Sequence, residues 1–343
     1  MTALESPLGD SAWDLVEERV IEAAFGRLVG ISMDSRGRVY GLDGQSQKLH
    51  IFGASGTSGS VLGRKGSGPG EFRGAAGILV GPGEGQVTVV DVLTNRMTTF
   101  SLEGGVIDER SAPGGGVLIP WRGGYDPEGW LWGFEVQRSL DGGSSYTPIQ
   151  YGKGTEKRFS SFELQGALSA GGRPDLQDPF VWNFDPVHDW EHIWFGYSGQ
   201  YRIQRRSLTG AVVLDYQKEY ERVPYTEGER ETMREDYEQG GFAAEVWDTP
   251  ELREVVSAVV PVEGLGVLVL LNQGPDAGTI VELVGADGEL KGSSWTSLDV
   301  SSLPLPRVRG GRIVAASQDR LGVQRIHVLR LMDGSRDVLN GRE

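Results

Sequence analysis

The chain has 343 residues, no cysteine, 52 glycines and a formal net charge of −15. The absence of cysteine excludes disulfides, thiolate metal sites and a cysteine nucleophile. The acidic balance argues against nucleic-acid binding, which needs a basic surface.

The length allows two domains, but all-β folds of this size are often one unit, and we expect a single domain over residues 1–343. The first residues carry neither the basic nor the apolar segment of a signal peptide. The longest apolar run, Leu265–Leu271, has the length of a strand and falls well short of the ~18 residues that a membrane helix needs. The compartment is left open by these observations.

An internal repeat becomes visible when the chain is shifted by 48 residues. The matching pairs are Gly37 with Gly85, Val39 with Val87, Asp43 with Asp91, Phe52 with Phe100, and Gly56 with Gly104. Alternation of polar and apolar residues within each unit predicts a strand with one buried face. Each unit therefore predicts an antiparallel strand pair between glycine turns.

Four weaker copies of the unit follow, and they begin at Gly129, His192, Gly264 and Gly311. Six units of roughly 45 residues, each with room for four strands, are typical of a β-propeller. We predict an all-β, six-bladed β-propeller. The segment Trp13–Ile21 precedes the first unit, and we expect it to supply the outer strand of the sixth blade and close the ring.

An insertion lies between the fourth and fifth units, at about residues 225–256. Thr226 and Glu229 have the spacing of a capping box, which predicts a helix over residues 226–238. Thr249-Pro250 predicts a second short helix, since proline is favoured at the first helical position. The insertion is either a solvated helix laid on the rim or a lid or docking element.

The connection between the first two units reads Gly66-Ser67-Gly68-Pro69-Gly70-Glu71-Phe72, and the next strand ends in Asp91 before Asn95-Arg96. In this pattern the chain resembles the NHL-type six-bladed β-propellers of bacteria. The resemblance is close over residues 30–105 and topological from 106 to 340. It implies the fold, binding at a face or central channel, and an exported or periplasmic location. It implies no single activity, because the fold hosts scaffolds, lyases and lactonases.

The same glycine-rich connection has the composition of a phosphate-binding loop. The Walker pattern, however, requires Gly-Lys-Ser/Thr leading into a helix, whereas Pro69 and Phe72 lead into a strand. We therefore predict a blade-to-blade turn. Asp43 and Asp91 end equivalent strands, where an aspartate bonds the amides of its own loop.

Two histidines four residues apart, His188 and His192, would share one face of a helix and form a possible zinc site. Asp185-Pro186 before them and Ile193–Phe195 after them predict a turn and a strand instead. We expect a polar loop here.

A ligand site is predicted on one face of the propeller. Blade-to-blade connections and the turns between second and third strands meet on the same face, and aromatic and arginine residues there suit sugars, peptides or anions. Tryptophans at such positions also pack between blades. The candidate residues are Arg64, Lys65, Arg73, Asn95, Arg96, Trp121, Arg122, Trp182 and Asn183.

Two functions remain open. The first is a non-catalytic binding protein, without a cofactor and expected to be a monomer, that holds a protein, peptide or carbohydrate on this face. The second is a metal-dependent lactonase or lyase with calcium or magnesium in the channel, held by oxygen ligands from several blades. Glu71, Asn183 and Asn272 are candidate metal ligands. A serine hydrolase has no support, because the Gly-x-Ser-x-Gly elbow is absent.

Overall fold

The computed structural model describes most of the chain, namely residues 13–81, 85–111, 123–126, 128–138, 144–152, 154–164, 179–184, 192–197, 199–239, 249–274, 277–301, 303–319 and 321–340. These residues form six antiparallel sheets of four or five strands and one small two-stranded sheet. The prediction of a six-bladed β-propeller is confirmed.

The strands follow one another blade by blade. The first strand, β1 (Asp14–Ile21), belongs to the last blade. Blade one contains β2 (Leu28–Met33), β3 (Val39–Asp43), β4 (Lys48–Phe52) and β5 (Ser58–Leu62). The connection to the next blade carries the short parallel pair β6 (Arg64–Lys65) and β7 (Glu71–Phe72). Blade two contains β8 (Ala75–Val80), β9 (Gln86–Asp91), β10 (Arg96–Ser101) and β11 (Val106–Ser111).

The remaining blades repeat this plan with additions. Blade three contains β12 (Gly124–Tyr125), β13 (Leu131–Arg138), β14 (Ser144–Gly152), β15 (Thr155–Arg158) and β16 (Phe162–Leu164). Blade four contains β17 (Pro179–Phe184), β18 (His192–Tyr197), β19 (Arg202–Ser207) and β20 (Val212–Gln217), and helix α1 (Glu227–Gln239) follows it. Blade five contains β21 (Val256–Val262), β22 (Gly266–Asn272), β23 (Thr279–Gly285) and β24 (Leu290–Thr296). Blade six contains β25 (Arg307–Arg309), β26 (Arg312–Gln318), β27 (Gln324–Asp333) and β28 (Arg336–Asp337), together with β1.

Each repeat start found in the sequence marks the second strand of a blade, from β3 in blade one to β26 in blade six. Because the strands of a blade run antiparallel, the first strand begins on the face that carries the blade-to-blade connections. We call this the connection face. The turns between second and third strands lie there too, and the first strands end on the opposite face.

The core lies between neighbouring blades. Blade five is the most apolar: every residue of β23 is buried, and Val259 and Val269 in β21 and β22 have no exposed surface. Continuous apolar strands of this kind need protein on both faces of the sheet, and blades four and six supply it. The sequence run Leu265–Leu271 is thus a central strand of this blade.

The ring is closed by its two ends. Strand β1 pairs antiparallel with β27, in a register from Asp14 opposite Met332 to Ile21 opposite Ile326. A register shift between Glu17 and Arg19 reverses the alternation of side chains along β1. Leu15 therefore packs toward blade five, while Ile21 is buried in the core shared with blade one. The predicted closure by Trp13–Ile21 is confirmed.

A turn motif repeats in blades one and three, between the first and second strands. The Asp34 carboxylate accepts hydrogen bonds from amides of its own turn and from the Tyr40 hydroxyl at 2.9 Å. Asp126 does the same, and the indole N–H of Trp132 donates to it at 2.8 Å. Each aspartate thus ties its turn to a buried aromatic residue on the following strand.

The predicted capping box is present at the start of α1. The Thr226 amide donates to the Glu229 carboxylate at 2.8 Å, and the Glu229 amide donates to the Thr226 hydroxyl at 3.3 Å. Arg253 holds this end of the helix through an ion pair with Glu229. The helix that the structure describes is too short and too polar to cross a membrane.

The second short helix predicted at Thr249 is wrong. The Tyr225 amide donates to the carbonyl of Glu251 at 2.9 Å, and Leu252 forms an isolated bridge with Pro224. This pairing holds the segment extended. A proline after a capping residue is compatible with such a strand-like segment as well as with a helix start.

Candidate functional site

The inner strands of the propeller enclose a cavity of about 110 Å³. Its described lining comes from the first strands of five blades, β2, β8, β12, β21 and β25. The lining positions lie toward the ends of these strands, such as Met33 in β2 and Val80 in β8. The cavity therefore occupies the central channel on the side away from the connection face.

Two arginines give this cavity its charge. Arg307 is half-buried and Arg309 exposed, and both line the wall that β25 contributes. Burial lowers the pKa of Arg307 to about 10, because removal from water disfavours the charged guanidinium. Arg307 is still cationic at neutral pH.

The rest of the described lining is apolar or neutral. It consists of methionine, isoleucine, leucine, valine, proline and glycine residues with one serine and one tyrosine, and none of the described lining residues carries a carboxylate. Ser32 and Tyr125 supply hydroxyl groups, and the Tyr125 hydroxyl lies 3.2 Å from that of Thr88. Such a wall can hold an anion or an acidic group against two cations and neutral donors.

The connection face brings three of the predicted ligand residues together around one connection. Arg96 donates to the carbonyls of Ser67 at 3.3 Å and Gly68 at 3.2 Å, and also to that of Glu71. Its guanidinium therefore ties this connection to the start of β10. The Gly66–Gly70 segment is a blade-to-blade turn, as predicted.

The other two arginines of this group are more exposed. Arg64 donates to the Glu71 carboxylate at 2.7 Å, with its side chain 75% exposed. The Arg73 side chain is exposed, while its backbone amide donates to Asp91 at 2.6 Å. Both guanidinium groups are accessible to a ligand on the connection face, and their role in binding stays a prediction.

Two further predicted ligand residues, Lys65 in β6 and Asn95 in the turn before β10, are exposed on the connection face. The remaining four fall partly or wholly outside the description. Trp121 and Arg122 lie outside the described residues. Trp182 and Asn183 belong to β17, the inner strand of blade four, and their side chains are not among those described.

Of the three candidate metal ligands, only Glu71 has a described side chain. Glu71 accepts from the Gly68 amide at 2.8 Å and from Arg64, and these bonds lower the pKa of its carboxyl group. The side chains of Asn183 and Asn272 lie outside the description. Among the described residues, no group of three or more histidine, cysteine or acidic side chains is placed to hold a metal ion. Of the two histidines for which a zinc site was weighed against a polar loop, His188 lies outside the described residues, and His192 opens β18 opposite Ser207.

The aspartates that end equivalent strands accept hydrogen bonds from their own turns, as predicted, and also from the preceding connection. Asp43 accepts from the Gln45 amide in its own turn and from the Arg27 amide in the preceding connection. Asp91 likewise joins Leu93 and Arg73. Burial alone would raise the pKa of each carboxyl, but the hydrogen bonds together lower it. These residues fix the connection face and are already saturated with donors.

Comparison with known proteins supports the fold. A family described as a six-bladed β-propeller matches residues 23–117, which is less than a third of the chain. A search of curated protein sequences finds no significant match.

Solved structures resemble the chain over almost its whole length. The WD40 repeats of RRP9 superpose with a TM-score of 0.55 at 9% identity, covering 96% of this chain and 99% of that one. A catalytically inactive virginiamycin B lyase from Staphylococcus aureus, with quinupristin, gives a TM-score of 0.51 at 11% identity, with 93% and 100% covered. At such low identity these similarities establish the β-propeller fold alone.

Proposed function

We propose that this protein is a non-catalytic binding propeller that holds a ligand, or a segment of a partner, in its central channel. The observation that carries the proposal is the cavity of about 110 Å³ between the inner strands, with Arg307 and Arg309 in its wall. Binding sites are concave, mostly apolar and equipped with a few polar groups. This cavity is concave and combines apolar side chains with two arginines.

The cavity is walled by rigid parts of the fold. Its lining comes from strands in the middle of the ring, and their positions are fixed by packing between blades. A site built on strands keeps its shape before the ligand arrives, which lowers the entropy cost of binding. The predicted connection-face residues remain a second surface for a larger partner, with Arg64 and Arg73 exposed on it.

A cavity-filling variant tests this function. Ser32→Tyr places a large side chain on a lining position of β2, and Ser58→Tyr makes the same change at an exposed position of β5 in the same blade. Peptides, sugars and small organic acids are screened by the shift they cause in the melting temperature. We expect at least one class to stabilise the wild type and Ser58→Tyr, and to lose its effect on Ser32→Tyr.

Two results would contradict the proposal. The first is a ligand whose stabilising effect survives in Ser32→Tyr, because its site then lies outside the cavity. The second is a screen in which none of the three classes stabilises the wild type. Both variants are first compared with the wild type by circular dichroism, so that a misfolded Ser32→Tyr is recognised.

The metal-dependent lactonase or lyase is the weaker alternative. The described wall of the cavity is apolar and basic, which is the opposite of the oxygen-rich site that calcium or magnesium needs. Metal content by mass spectrometry, with melting in calcium and in chelator, separates the two functions. About one divalent ion per chain and a chelator-sensitive melting temperature would favour the enzyme.

A further inference from the structure

We propose that the channel cavity recognises a carboxylate, which sits against the guanidinium groups of Arg307 and Arg309. The inference rests on the proposed function and adds the chemical class of the ligand. The carboxylate belongs either to a small free acid or to the acidic end of a peptide chain, and the experiment below distinguishes these sources.

The two arginines are placed to act together. They are separated by one residue on β25, and residues two apart in a strand project from the same face. Strand β25 packs beside the inner strands β2 and β21, so the pair is held between the walls of blades one and five. Planar guanidinium groups match a carboxylate with paired hydrogen bonds, which lysine cannot do.

The electrostatics of the chain make this pair selective. The protein carries a net charge of −15, so most of its surface repels anions. None of the described lining residues of the cavity is acidic. A carboxylate is therefore favoured at this point of the molecule and disfavoured around it.

The size of the cavity limits what enters it. Its volume of about 110 Å³ is below the roughly 300–1,000 Å³ of sites that bury a drug-sized molecule. A short acid or the last residue of a chain fits, and a larger ligand must leave its remainder outside. Ser32 lines the same cavity and has a neutral hydroxyl donor.

The experiment uses the full chain and two matched pairs of probes. One pair is succinate and its neutral diamide, succinamide. The other is pentaglycine with a free carboxyl end and pentaglycine amide. Binding is followed by NMR through the side-chain Nε–Hε signals of the arginines, assigned with Arg307→Met and Arg309→Met. We expect an acid probe to shift the signals of both residues and its amide partner to bind at least roughly 10-fold more weakly, since hydrogen bonds to charged groups are the strong ones.

Variants separate a ligand contact from a structural role. Arg307→Met should weaken binding of the acid roughly 10- to 100-fold, and Arg307→Lys, which keeps the charge, should retain part of it. The control is Arg36→Met, since Arg36 is exposed in the turn after β2 and does not line the cavity. It should bind the acid like the wild type. Melting curves confirm that each variant is folded. If Arg307→Met does not fold, Arg309→Met replaces it in the binding experiment.

The outcomes are distinguishable. Binding of succinate indicates a free acid, and binding of pentaglycine but not succinate indicates a chain end; either supports the inference. It is overturned if acids and amides bind alike, if neither acid binds, or if Arg307→Met and Arg309→Met bind the acid unchanged. Should a neutral ligand still lose its effect in Ser32→Tyr, the proposed function stands and only the carboxylate inference fails.

Discussion

The carboxylate of Glu17 lies 2.7 Å from Nδ1 of His327, although 310 positions separate the two residues in the chain. On the other side of the imidazole, Nε2 lies 2.7 Å from the Ser317 hydroxyl. The order carboxylate, imidazole, hydroxyl is that of a serine hydrolase. Ser317, however, is 8% exposed and its strand is bridged there by Val300. We therefore assign the contact to closure of the ring, where it joins β1 to β27 and β26.

The first prediction concerns this closure. Deletion of residues 1–22 removes β1, exposes the edge of β27 and uncovers the core around Ile21, which is 2% exposed in the intact chain. An uncovered strand edge and an opened core both destabilise a closed repeat array. We expect the truncated chain to lose its cooperative unfolding transition, measured by circular dichroism in urea.

A point variant provides the control for this deletion. Glu17→Ala keeps the strand and removes one hydrogen bond to His327 from a carboxylate that is 42% exposed. It should cost only about 0.5–1.5 kcal/mol. A truncated chain that melts like the full one would show that pairing with β1 does not hold the ring together.

The second prediction is a pH dependence at the same seam. Glu18 pairs with Arg312 at 2.6 Å and with Arg330 at 3.2 Å, and these guanidinium groups, Arg312 above all, lower the pKa of Glu18 from 4.5 to about 2. A lowered pKa means that Glu18 stabilises the fold above pH 4.5 and that this contribution is lost as the pH falls toward 2. Because a third of the side chain is exposed, we expect about 1 kcal/mol.

Glu18→Gln tests this directly. Urea unfolding is measured for the variant and the wild type at several pH values between 7 and 2. The gap in unfolding free energy should be constant at neutral pH and close as the pH falls toward the pKa of about 2. Glu22→Gln is the control, since Glu22 is 77% exposed and lies 3.6 Å from Arg325. If the difference in unfolding free energy between the wild type and Glu18→Gln does not change with pH, the charge of Glu18 is not the source of that difference.

The third prediction separates two arginines of the connection face. Arg96 bonds three loop carbonyls with a side chain that is 19% exposed, whereas Arg64 makes an exposed ion pair with Glu71. Loss of Arg96 removes a charged donor from all three carbonyls, and of these the carbonyl of Gly68 keeps a backbone hydrogen bond, from the Glu71 amide. Arg96→Met should therefore cost about 1–3 kcal/mol and Arg64→Met at most about 1 kcal/mol. Equal losses in urea unfolding would contradict the structural role of Arg96.

The fold could be predicted from the sequence because each repeat consists of short-range patterns. Glycine turns and alternating strands recur at a fixed spacing, and the match between Asp43 and Asp91 reflects a real equivalence: each ties a turn to the preceding connection. Arg96 was predicted to lie, as a ligand residue, on the face that carries the blade-to-blade connections, and it lies on that face. The repeat spacing does not predict whether the Arg96 guanidinium faces a ligand or the loop carbonyls.

The cavity could not be predicted in the same way. Its lining comes from first strands that vary in length, from two residues in β12 to seven in β21. The repeat signal lies in the second and third strands. The one available clue was an Arg-Val-Arg alternation just before Gly310-Gly311. Only the ring geometry brings that alternation together with Ser32 and Tyr125, which are distant in the chain.

The fourth prediction concerns a buried carboxylate between blades four and five. Glu282 is 4% exposed and accepts from the Tyr201 hydroxyl at 2.7 Å and from the Lys218 ammonium at 2.7 Å. Burial and the nearby carboxylate raise the pKa of Tyr201, so this hydroxyl remains a donor at all working pH values. The charge of Glu282 is thus balanced by Lys218 alone among these partners.

Removal of Lys218 alone should therefore lower the free energy of unfolding more than removal of the charges of both Lys218 and Glu282. Lys218→Met leaves a buried carboxylate without its counter-ion, which we expect to cost about 3 kcal/mol. Glu282→Gln retains an acceptor for Tyr201, and the double variant Lys218→Met/Glu282→Gln should be less destabilised than the sum of the single variants. A double-mutant cycle in urea measures the coupling. If Lys218→Met stays within about 0.5 kcal/mol of the wild type, water at the exposed side of Lys218 supplies the missing charge stabilisation and the pair does not join the two blades.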